Sequence, residues 1–413
     1  MGSALEEPKG HEGGMGAGNL VVIQAGGPTA VVNASLYAVL DAGRQHRSGR
    51  KIFGSRNGLQ GLIRADLVDL GFLTSSQLEL LRRSPAAALG SSRVKPSEAE
   101  LAGILRDLRE RDIHQALFIG GNGTMHAALM ISRFCKQANY EMQVVGIPKT
   151  VDNDINGTDR CPGYGSAARY VAQSTRDLGM DVRALAQPVS ILETMGRHVG
   201  WLAAASVMAK RSAQDAPHLV YIPEVPFEVD AFLTDLDAIL KKQNWAIVVV
   251  SEGLRDRAGR PVYENSEASQ KDDFNRALPG GVGHFLAQTA TRRLKIRCRD
   301  EKPGLLGRAS ILHVSPQDRM DAELVGRVAH EALAAGCDEQ MVALMPLRSG
   351  EPATTKLIPL EAVSGPDRAI PKEWLGKGNP PTNHQFEEYL RPFIGELLEY
   401  EDVFDRSESY ESV

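Results

Sequence analysis

Short runs of apolar residues alternate with longer amphipathic stretches along most of the chain. The short runs are rich in β-forming residues and end in glycine or a polar residue, which predicts strands at Asn19–Gln24, Gln115–Ile119, Gln143–Ile147, Val189–Leu192, Leu219–Ile222 and Ala246–Ser251. The amphipathic stretches predict helices, among them Ser97–Arg111, Thr124–Gln137, Ser166–Leu178 and Val282–Leu294. Strands that alternate with helices are typical of an α/β fold with a parallel sheet.

The length of 413 residues predicts two or three lobes, each with its own core. A boundary between lobes is expected near Cys161–Tyr164, where a Cys-Pro-Gly turn follows a polar loop. The Gly- and Glu-rich stretch 1–18 has no apolar signal-peptide core, and we interpret it as a disordered tail. Residues 401–413 are interpreted as a second tail.

Composition excludes several classes of protein. Apolar residues make up 42% and charged residues 24% of the chain, as in globular proteins, and the formal net charge is −5. Without a basic excess we expect no nucleic-acid partner and no membrane partner, and phosphate binding would depend on local positive charge. No apolar run is long enough for a transmembrane helix. The cysteines lack metal-ligand spacing, which favours reduced thiols in a cytoplasmic protein: Cys135, Cys161, Cys298 and Cys337.

Candidate chemistry lies where strands end, because ligands of open α/β sheets bind at the carboxyl ends of strands. The turn AGGPTA (Ala25–Ala30) follows the first predicted strand, and GGNGT (Gly120–Thr124) closes the second and opens a helix. Paired glycines let the backbone approach an anion, and a helix N-terminus favours negative charge. Either turn could instead be purely structural. Neither is a Walker A loop, since GxxxxGK[ST] does not occur in the chain.

The loop PKTVDND (Pro148–Asp154) follows the third predicted strand. Its two carboxylates, at positions i and i+2, do not face the same way, which suits one to accept a hydroxyl proton and the other to hold a metal ion. Lys149 adds a positive charge for a phosphate. A solvated turn is the alternative, but it does not require a lysine and two aspartates directly after an apolar strand.

Further polar groups end later strands. Glu193–Gly200 follows the predicted strand Val189–Leu192, and Glu252 follows Ala246–Ser251. Cations are concentrated at Arg297–Lys302 and at Arg308. For the first of these groups we favour a run of solvated surface charges over a phosphate site. Arg308 lies in an apolar stretch and is expected to be buried with an anionic partner.

Together these residues resemble the type-A phosphofructokinase superfamily, from about Asn19 to Tyr400. The motifs that carry the resemblance are the Gly26-Gly27 turn with Asn33, LGSSR (Leu89–Arg93), GGNGT, PKTVDND, PGYGSAA (Pro162–Ala168), MGRHVGW (Met195–Trp201) and the Glu252 turn. The long pyrophosphate-dependent branch of the family is the most similar one, both in the residues of several motifs and in the C-terminal extension through Pro371–Trp374.

The resemblance implies two Rossmann-like lobes with mostly parallel sheets. A donor-binding lobe would comprise residues 19–163 and about 307–355, and a sugar-binding lobe residues 164–306 and about 356–400. The implied activity is Mg²⁺-dependent phosphoryl transfer to the 1-hydroxyl of fructose 6-phosphate, by a homodimer or homotetramer. For the donor we expect ATP, with pyrophosphate as the alternative, because the aspartate that would exclude ATP is absent at Gly123.

The family's functional positions are matched residue by residue. The catalytic group would comprise Asp152 as the base, with Thr150 and Arg197. Asn122 and Asp154 match the metal site. The donor contacts would be Gly27, Arg93, Gly121, Gly123, Thr124 and Lys149. The acceptor contacts would be Thr150, Asp152, Asp154, Met195, Gly196, Arg197, Glu252, Arg299 and Arg308.

Several positions depart from the family pattern. Asn122 replaces an aspartate, which removes one formal negative charge from the metal site. Leu305, Gly307 and Pro188 replace polar residues near the sugar phosphate. Two alternatives therefore stay open beside the main interpretation: a kinase shifted to another sugar or sugar phosphate, and a non-catalytic regulatory subunit.

Overall fold

The computed structural model describes residues 18–400 except 47, 48, 185–187, 265–279, 349 and 364. Its strands are β1 Asn19–Gln24, β2 Ile52–Ser55, β3 Leu67–Asp69, β4 Ile113–Gly120, β5 Gln143–Pro148, β6 Val189–Thr194, β7 Leu219–Tyr221, β8 Ala246–Ser251, β9 Cys298–Glu301, β10 Gln340–Leu344 and β11 Thr355–Pro359. The two predicted tails lie outside the described residues, apart from Gly18.

The helices alternate with the strands over most of this range. They are α1 Val32–Gln45, α2 Leu59–Ile63, α3 Ser75–Arg83, α4 Glu98–Glu110, α5 Asn122–Gln137, α6 Tyr164–Ala184, α7 Trp201–Ala205, α8 Val229–Gln243, α9 Val282–Leu294, α10 Leu305–Ala309, α11 Pro316–Ala334, α12 Leu360–Val363 and α13 His384–Ile394. No helix among the described residues is both long enough and apolar enough to cross a membrane.

The strands form two sheets. The first has seven strands in the order β11-β10-β5-β4-β1-β2-β3, and the second has four in the order β7-β8-β6-β9. All neighbouring strands are parallel except the outermost pairs of the first sheet, β2 with β3 and β10 with β11. The predicted α/β class with mostly parallel sheets is confirmed.

The central strands are buried on both faces, which explains their nearly continuous apolar sequence. In β1, Val21 and Ile23 belong to one core cluster and Leu20 and Val22 to another. The central strand of the second sheet, β8, divides its side chains in the same way between two clusters. Each sheet is therefore covered by helices on both faces, and its strand ends remain available for ligands.

Each of the six predicted strands is present, with ends shifted by no more than two residues. Helix α6 differs more, because it begins at Tyr164 rather than Ser166 and continues six residues beyond Leu178. The carboxylate of Asp318 accepts hydrogen bonds from the backbone N–H groups of Gly163, at 2.9 Å, and Ser166, at 3.0 Å, and so satisfies donors at the first turn. The helix continues through Gly179, where an added Cβ atom would lie only 3.0 Å from the side chain of Ala216, so a small residue is needed there.

The chain returns to the first sheet after completing the second. Strand β11 pairs with β10, and Leu360 of α12 belongs to a core cluster of the first sheet, which we call the first core. Helix α13 packs Phe386, Leu390 and Phe393 into a core cluster of the second sheet, the second core. The change from the first to the second core thus lies after α12, later in the chain than the expected boundary at 355/356, because β11 completes the edge of the first sheet. All four cysteines are free.

Candidate active site

The turn after β1 forms the centre of a cationic pocket. Gly26 has φ +77°, in the left-handed region that favours glycine. The ammonium of Lys149 donates a 2.6 Å hydrogen bond to the carbonyl oxygen of Gly27. A Cβ atom added to Gly27 would lie 3.2 Å from a guanidinium nitrogen of Arg308 and 3.4 Å from one of Arg93. Three cations therefore converge on a bare backbone turn, an arrangement that suits a phosphate chain.

The cations of this pocket repel one another. Burial, together with the charges of Arg93 and Arg308, lowers the pKa of Lys149 to about 7, and the nearby Asp152 and Asp154 oppose this decrease. The pKa of Arg308 is also lowered, by burial and then by Arg93. Because a bound anion would favour the charged forms of both groups, the pocket has the electrostatics of an anion-binding site.

The GGNGT turn lies beside this pocket, between β4 and α5. Thr124 is buried, and its hydroxyl oxygen lies 3.9 Å from where a Cβ atom of Gly26 would be. Gly121 lies beside the backbone of Lys149, because a Cβ atom built on this glycine would be 3.8 Å from the carbonyl oxygen of Lys149. At Gly123 an added Cβ would meet no atom within 4 Å. The two glycine turns thus share one pocket, with open space next to Gly123.

The PKTVDND loop follows β5 and is anchored at both ends. The backbone N–H of Lys149 donates to the carbonyl of Gly120 at 2.9 Å. Asn153 is buried at φ +55°, accepts a hydrogen bond from the N–H of Cys161 and donates one to the hydroxyl of Tyr389. Asn153 is therefore a structural anchor between the two acids of the loop.

The two acids have raised pKa values. Burial raises the pKa of Asp152 to about 6, and Glu252 contributes to the increase, whereas Arg93 and Lys149 oppose it. Burial raises the pKa of Asp154 to about 7, with repulsion from Asp152 and then Asp367. A carboxylate with a pKa near 6 is ionised at neutral pH and still basic enough to accept a proton. The hydroxyl of Thr150 accepts the backbone N–H of Asp152 at 3.1 Å and thereby orients this residue.

Asn122 and Asp154 fit a magnesium ion. The amide nitrogen of Asn122 donates to a carboxylate oxygen of Asp154 at 3.3 Å, so the two side chains adjoin. The remaining side-chain oxygen of each, Oδ1, is buried and has no hydrogen-bond partner among the described residues. That part of the chain contains no group of three or more His, Cys, Asp or Glu side chains arranged around a metal position. Mg²⁺ is usually bound through one or two carboxylates together with substrate phosphates, so such a cage is not required.

The ends of β6 and β8 form the opposite wall of the site. Gly196 has φ +130°, and an added Cβ would lie 2.5 Å from the carbonyl oxygen of Val199. The N–H of Glu252 donates to the carbonyl of Thr194 at 3.0 Å, which joins the two strand ends. Burial raises the pKa of Glu252, and the half-buried Arg197 opposes this effect. The predicted acceptor residues Gly196, Arg197 and Glu252 are thus brought together.

Met195 and Arg308 line a small cavity next to this wall. A Cβ atom on Gly307 would lie 3.3 Å from the ring of Tyr170, which also lines the cavity. The tyrosine ring therefore occupies the space into which a larger side chain at 307 would extend. Leu305 is 63% exposed and does not line the cavity. Arg308 lies between this cavity and the cationic pocket, rather than in the acceptor site alone.

Arg299 is the predicted site residue that the structure does not bring into this group. It is exposed in β9, an edge strand, and its side chain makes no hydrogen bond or ion pair with the described residues. Its assignment to the acceptor phosphate stays a prediction that rests on resemblance.

The predicted site residues did not include four polar residues of the site: Glu193, Lys302, Asp367 and Arg368. Two of these, Glu193 and Lys302, lie in polar stretches already noted in the sequence. Glu193 is 2% exposed, accepts hydrogen bonds from the N–H groups of Gly281 and Gly283, and lies 3.0 Å from the ammonium of Lys302. A strand-end carboxylate directly before the MGR motif was a usable signal for it. Asp367 and Arg368 come from the C-terminal part of the chain, where no motif marked them.

A cavity of about 590 Å³ lies elsewhere, beside α1 and α3. Most of its lining is aliphatic and aromatic, and none of the predicted site residues lines it. Because phosphoryl transfer requires charge neutralisation, the polar group at the strand ends is the candidate active site.

Comparisons with known proteins agree with this geometry. The phosphofructokinase family model matches residues 19–333. The pyrophosphate–fructose 6-phosphate 1-phosphotransferase of Xanthomonas campestris is 34% identical over 91% of both chains. The sulfofructose kinase of Alkalicoccus urumqiensis is 35% identical over 85% of this chain and 90% of its own. An ATP-dependent 6-phosphofructokinase of Corynebacterium efficiens is 28% identical over 87% of this chain and 98% of its own.

The fold has relatives among solved structures. The pyrophosphate-dependent phosphofructokinase of Marinobacter aquaeolei superposes with a TM-score of 0.82 at 29% identity, covering 93% of this chain and 94% of the other. The sequence motifs, the two sheets and these similarities lead to the same assignment. The chain belongs to the phosphofructokinase family, and it is a phosphotransferase that acts on an alcohol group.

Proposed function

We propose that the protein transfers the γ-phosphoryl group of ATP to the 1-hydroxyl of fructose 6-phosphate, with Mg²⁺ as the cofactor. The observation that carries this proposal is the convergence of three cations, Lys149, Arg93 and Arg308, on the Gly26-Gly27 turn. Asp152, which lies within their electrostatic influence, is the candidate base.

Each group has a role that its position supports. The cations and the backbone of the two glycine turns hold the phosphates of the donor, and Asp152 accepts the proton of the attacking hydroxyl. Arg197 and Glu252 hold the sugar on the opposite wall. Catalysis would then come mainly from positioning and from electrostatic stabilisation of the transferring group.

Asn122 and Asp154 are the residues that would hold the metal ion, because each presents a buried oxygen without a hydrogen-bond partner among the described residues. When bound there, Mg²⁺ neutralises charge on the donor phosphates and helps to fix their orientation.

The choice of ATP rests on the open space beside Gly123. ATP needs room beyond its β-phosphate for the α-phosphate and the nucleoside, and the protein offers it without an opposing charge. The names of several similar proteins favour pyrophosphate instead. Lys149 suits both donors, because an ammonium can neutralise the charge of either phosphate chain.

A sulfofructose acceptor is the second candidate, favoured by the 35% identical relative of that name. The positions that depart from the family pattern near the acceptor also support it: Leu305 is exposed and does not line the cavity, and Tyr170 fills the space beside Gly307. A sulfonate carries one negative charge where a phosphate monoester carries nearly two at pH 7, so it needs fewer polar partners.

The test is an activity matrix of two donors, ATP and pyrophosphate, against three acceptors, fructose 6-phosphate, sulfofructose and fructose. We expect the highest kcat/KM with ATP and fructose 6-phosphate, and the lowest with fructose, which has no anionic group. A preference for sulfofructose would establish the second candidate. Inactivity with every pair, together with retained binding of the sugar phosphate, would instead support a regulatory subunit.

Exposed leucines on the segment that carries Arg308 support the proposal of a homo-oligomer. Leu306 is 71% exposed and Leu312 is 88% exposed, and such apolar patches mark interaction surfaces. We expect Leu312→Asp to shift the protein toward the monomer in size-exclusion chromatography with light scattering. Leu80→Asp, at a leucine on α3 that is 68% exposed, is the control and should leave the oligomer intact. An unmodified protein that is already monomeric would contradict the proposal.

A further inference from the structure

A carboxylate from the C-terminal part of the chain reaches Asn122, one of the two residues assigned to the metal. Oδ1 of Asp367 accepts a hydrogen bond of 3.1 Å from the amide nitrogen of Asn122, the same atom that donates to Asp154. Oδ2 of Asp367 lies 3.9 Å from Nδ1 of His198. Residues 245 positions apart in the sequence therefore adjoin at this site.

The neighbouring residue, Arg368, holds the segment in place. Its backbone N–H donates to the carbonyl of Asp154 at 2.8 Å, and its guanidinium donates to the carbonyl of Asn153 at 3.2 Å. The guanidinium stacks 4.4 Å from the ring centroid of Trp201, whose indole N–H donates to the carbonyl of Arg368 at 2.8 Å. Hydrogen bonds to both the N–H and the carbonyl of Arg368 thus fix the residue that directly follows Asp367, which holds Asp367 beside Asn122.

The charges of the site explain what Asp367 contributes. Asn122 and Asp154 together carry a single formal negative charge, and each presents a buried oxygen without a partner among the described residues. A hard divalent cation prefers oxygen ligands, and its affinity rises with the number of charged ones. Asp367 brings the site to two carboxylates, which restores the charge that an amide at position 122 removes.

We propose that Asp367 is a metal-binding residue that supplies the second carboxylate of the magnesium site, beside Asn122 and Asp154. The proposal rests on the Mg²⁺ dependence in the proposed function and extends it to a third residue. The protein's C-terminal segment is then part of the reaction centre, and an acid from one end of the chain substitutes for one missing from the GGNGT turn.

The test measures Mn²⁺ binding to the full-length protein by electron paramagnetic resonance, in which free Mn²⁺ gives the signal. No donor or acceptor is present. We expect Asp367→Asn to weaken Mn²⁺ binding by about 10- to 100-fold, the effect typical of groups around a metal site. Asp154→Asn is the positive control. Glu373→Gln, at an exposed acid six residues further along the chain, should bind Mn²⁺ like the unmodified protein.

A double variant separates metal binding from a structural role. Asn122→Asp combined with Asp367→Asn moves the carboxylate back to the turn, and we expect it to restore Mn²⁺ affinity to within severalfold of the unmodified protein. Failure of this restoration would overturn the proposal, because a structural role of Asp367 would not be rescued by charge at position 122. Normal Mn²⁺ binding by Asp367→Asn would also overturn it.

The controls distinguish this inference from the proposed function. If Asp154→Asn weakens binding and Asp367→Asn does not, the inference fails and the metal assignment of the proposed function stands. If neither variant changes Mn²⁺ binding, both fail. Thermal unfolding of each variant, followed by circular dichroism, should show a folded protein and exclude general loss of structure as the cause.

Discussion

Asp152→Asn is expected to lower kcat by about 10²- to 10⁴-fold, the usual contribution of a general base. The amide keeps the shape of the carboxylate, so the loop and its anchor Asn153 should be preserved, but it cannot accept the proton of the attacking hydroxyl. Steady-state kinetics measure the loss, and calorimetric titration should show sugar-phosphate binding within a few-fold of the unmodified protein.

Asp237→Asn provides the control for this substitution. Asp237 lies on α8 and pairs with Lys241 at the surface, and its replacement should leave kcat unchanged. Near-normal turnover of Asp152→Asn would show that another group accepts the proton, and would contradict the mechanism.

The same group predicts the pH profile. A general base acts in its ionised form, and burial followed by Glu252 raises the pKa of Asp152 to about 6. As the pH falls through 6 the carboxylate becomes protonated, so we expect kcat/KM to fall tenfold for each further pH unit. An ordinary aspartate would place this limb near pH 4. A profile that stays flat down to pH 5 would contradict the assignment.

Gly123→Asp is expected to reduce kcat/KM for ATP by roughly 100-fold and to affect pyrophosphate far less. The added side chain enters open space, because no atom lies within 4 Å of the Cβ position, so folding should be unaffected. Its negative charge would repel the α-phosphate of ATP, and two like charges in contact cost several kcal/mol. Because about 1.4 kcal/mol changes a binding constant tenfold, a cost of this size gives the expected loss of about 100-fold. Pyrophosphate has no group in that position.

The measurement compares both donors with parent and variant at a fixed Mg²⁺ concentration. Gly103→Asp is the matched control, because it adds the same charge at another helical glycine with open space around its Cβ position. It should leave both donors unchanged. A parent protein that uses pyrophosphate alone would overturn the choice of ATP and leave the family assignment intact.

Much of the architecture could be predicted because the local sequence pattern indicates which strands are buried. Residues 20–23 and 246–250 are apolar on both faces, and only a sheet covered on both sides accommodates such runs. The helix ends were predicted about as well, except that α6 continues six residues beyond its predicted C-terminal end. Helix α6 begins where Asp318 accepts its N–H groups, and that residue lies more than 150 positions away in the sequence.

The chain by itself determined which residues stand at the carboxyl ends of the strands. Alternating strands and helices bring those ends to one edge of a sheet, and this places the two glycine turns and the PKTVDND loop together, as the pocket of Lys149 and Gly27 shows. Local pattern sufficed because each of these groups directly follows a strand.

Only the tertiary structure decided which distant groups complete the site. Asp367 meets Asn122, Arg308 approaches Gly27 and Tyr170 fills the space at Gly307. Asp367, Arg308 and Tyr170 do not directly follow a β-strand. Such contacts depend on the packing of one segment against another after both sheets have formed. Periodicity reports which face of an element is buried, but it carries no information about which remote side chain will lie against that face.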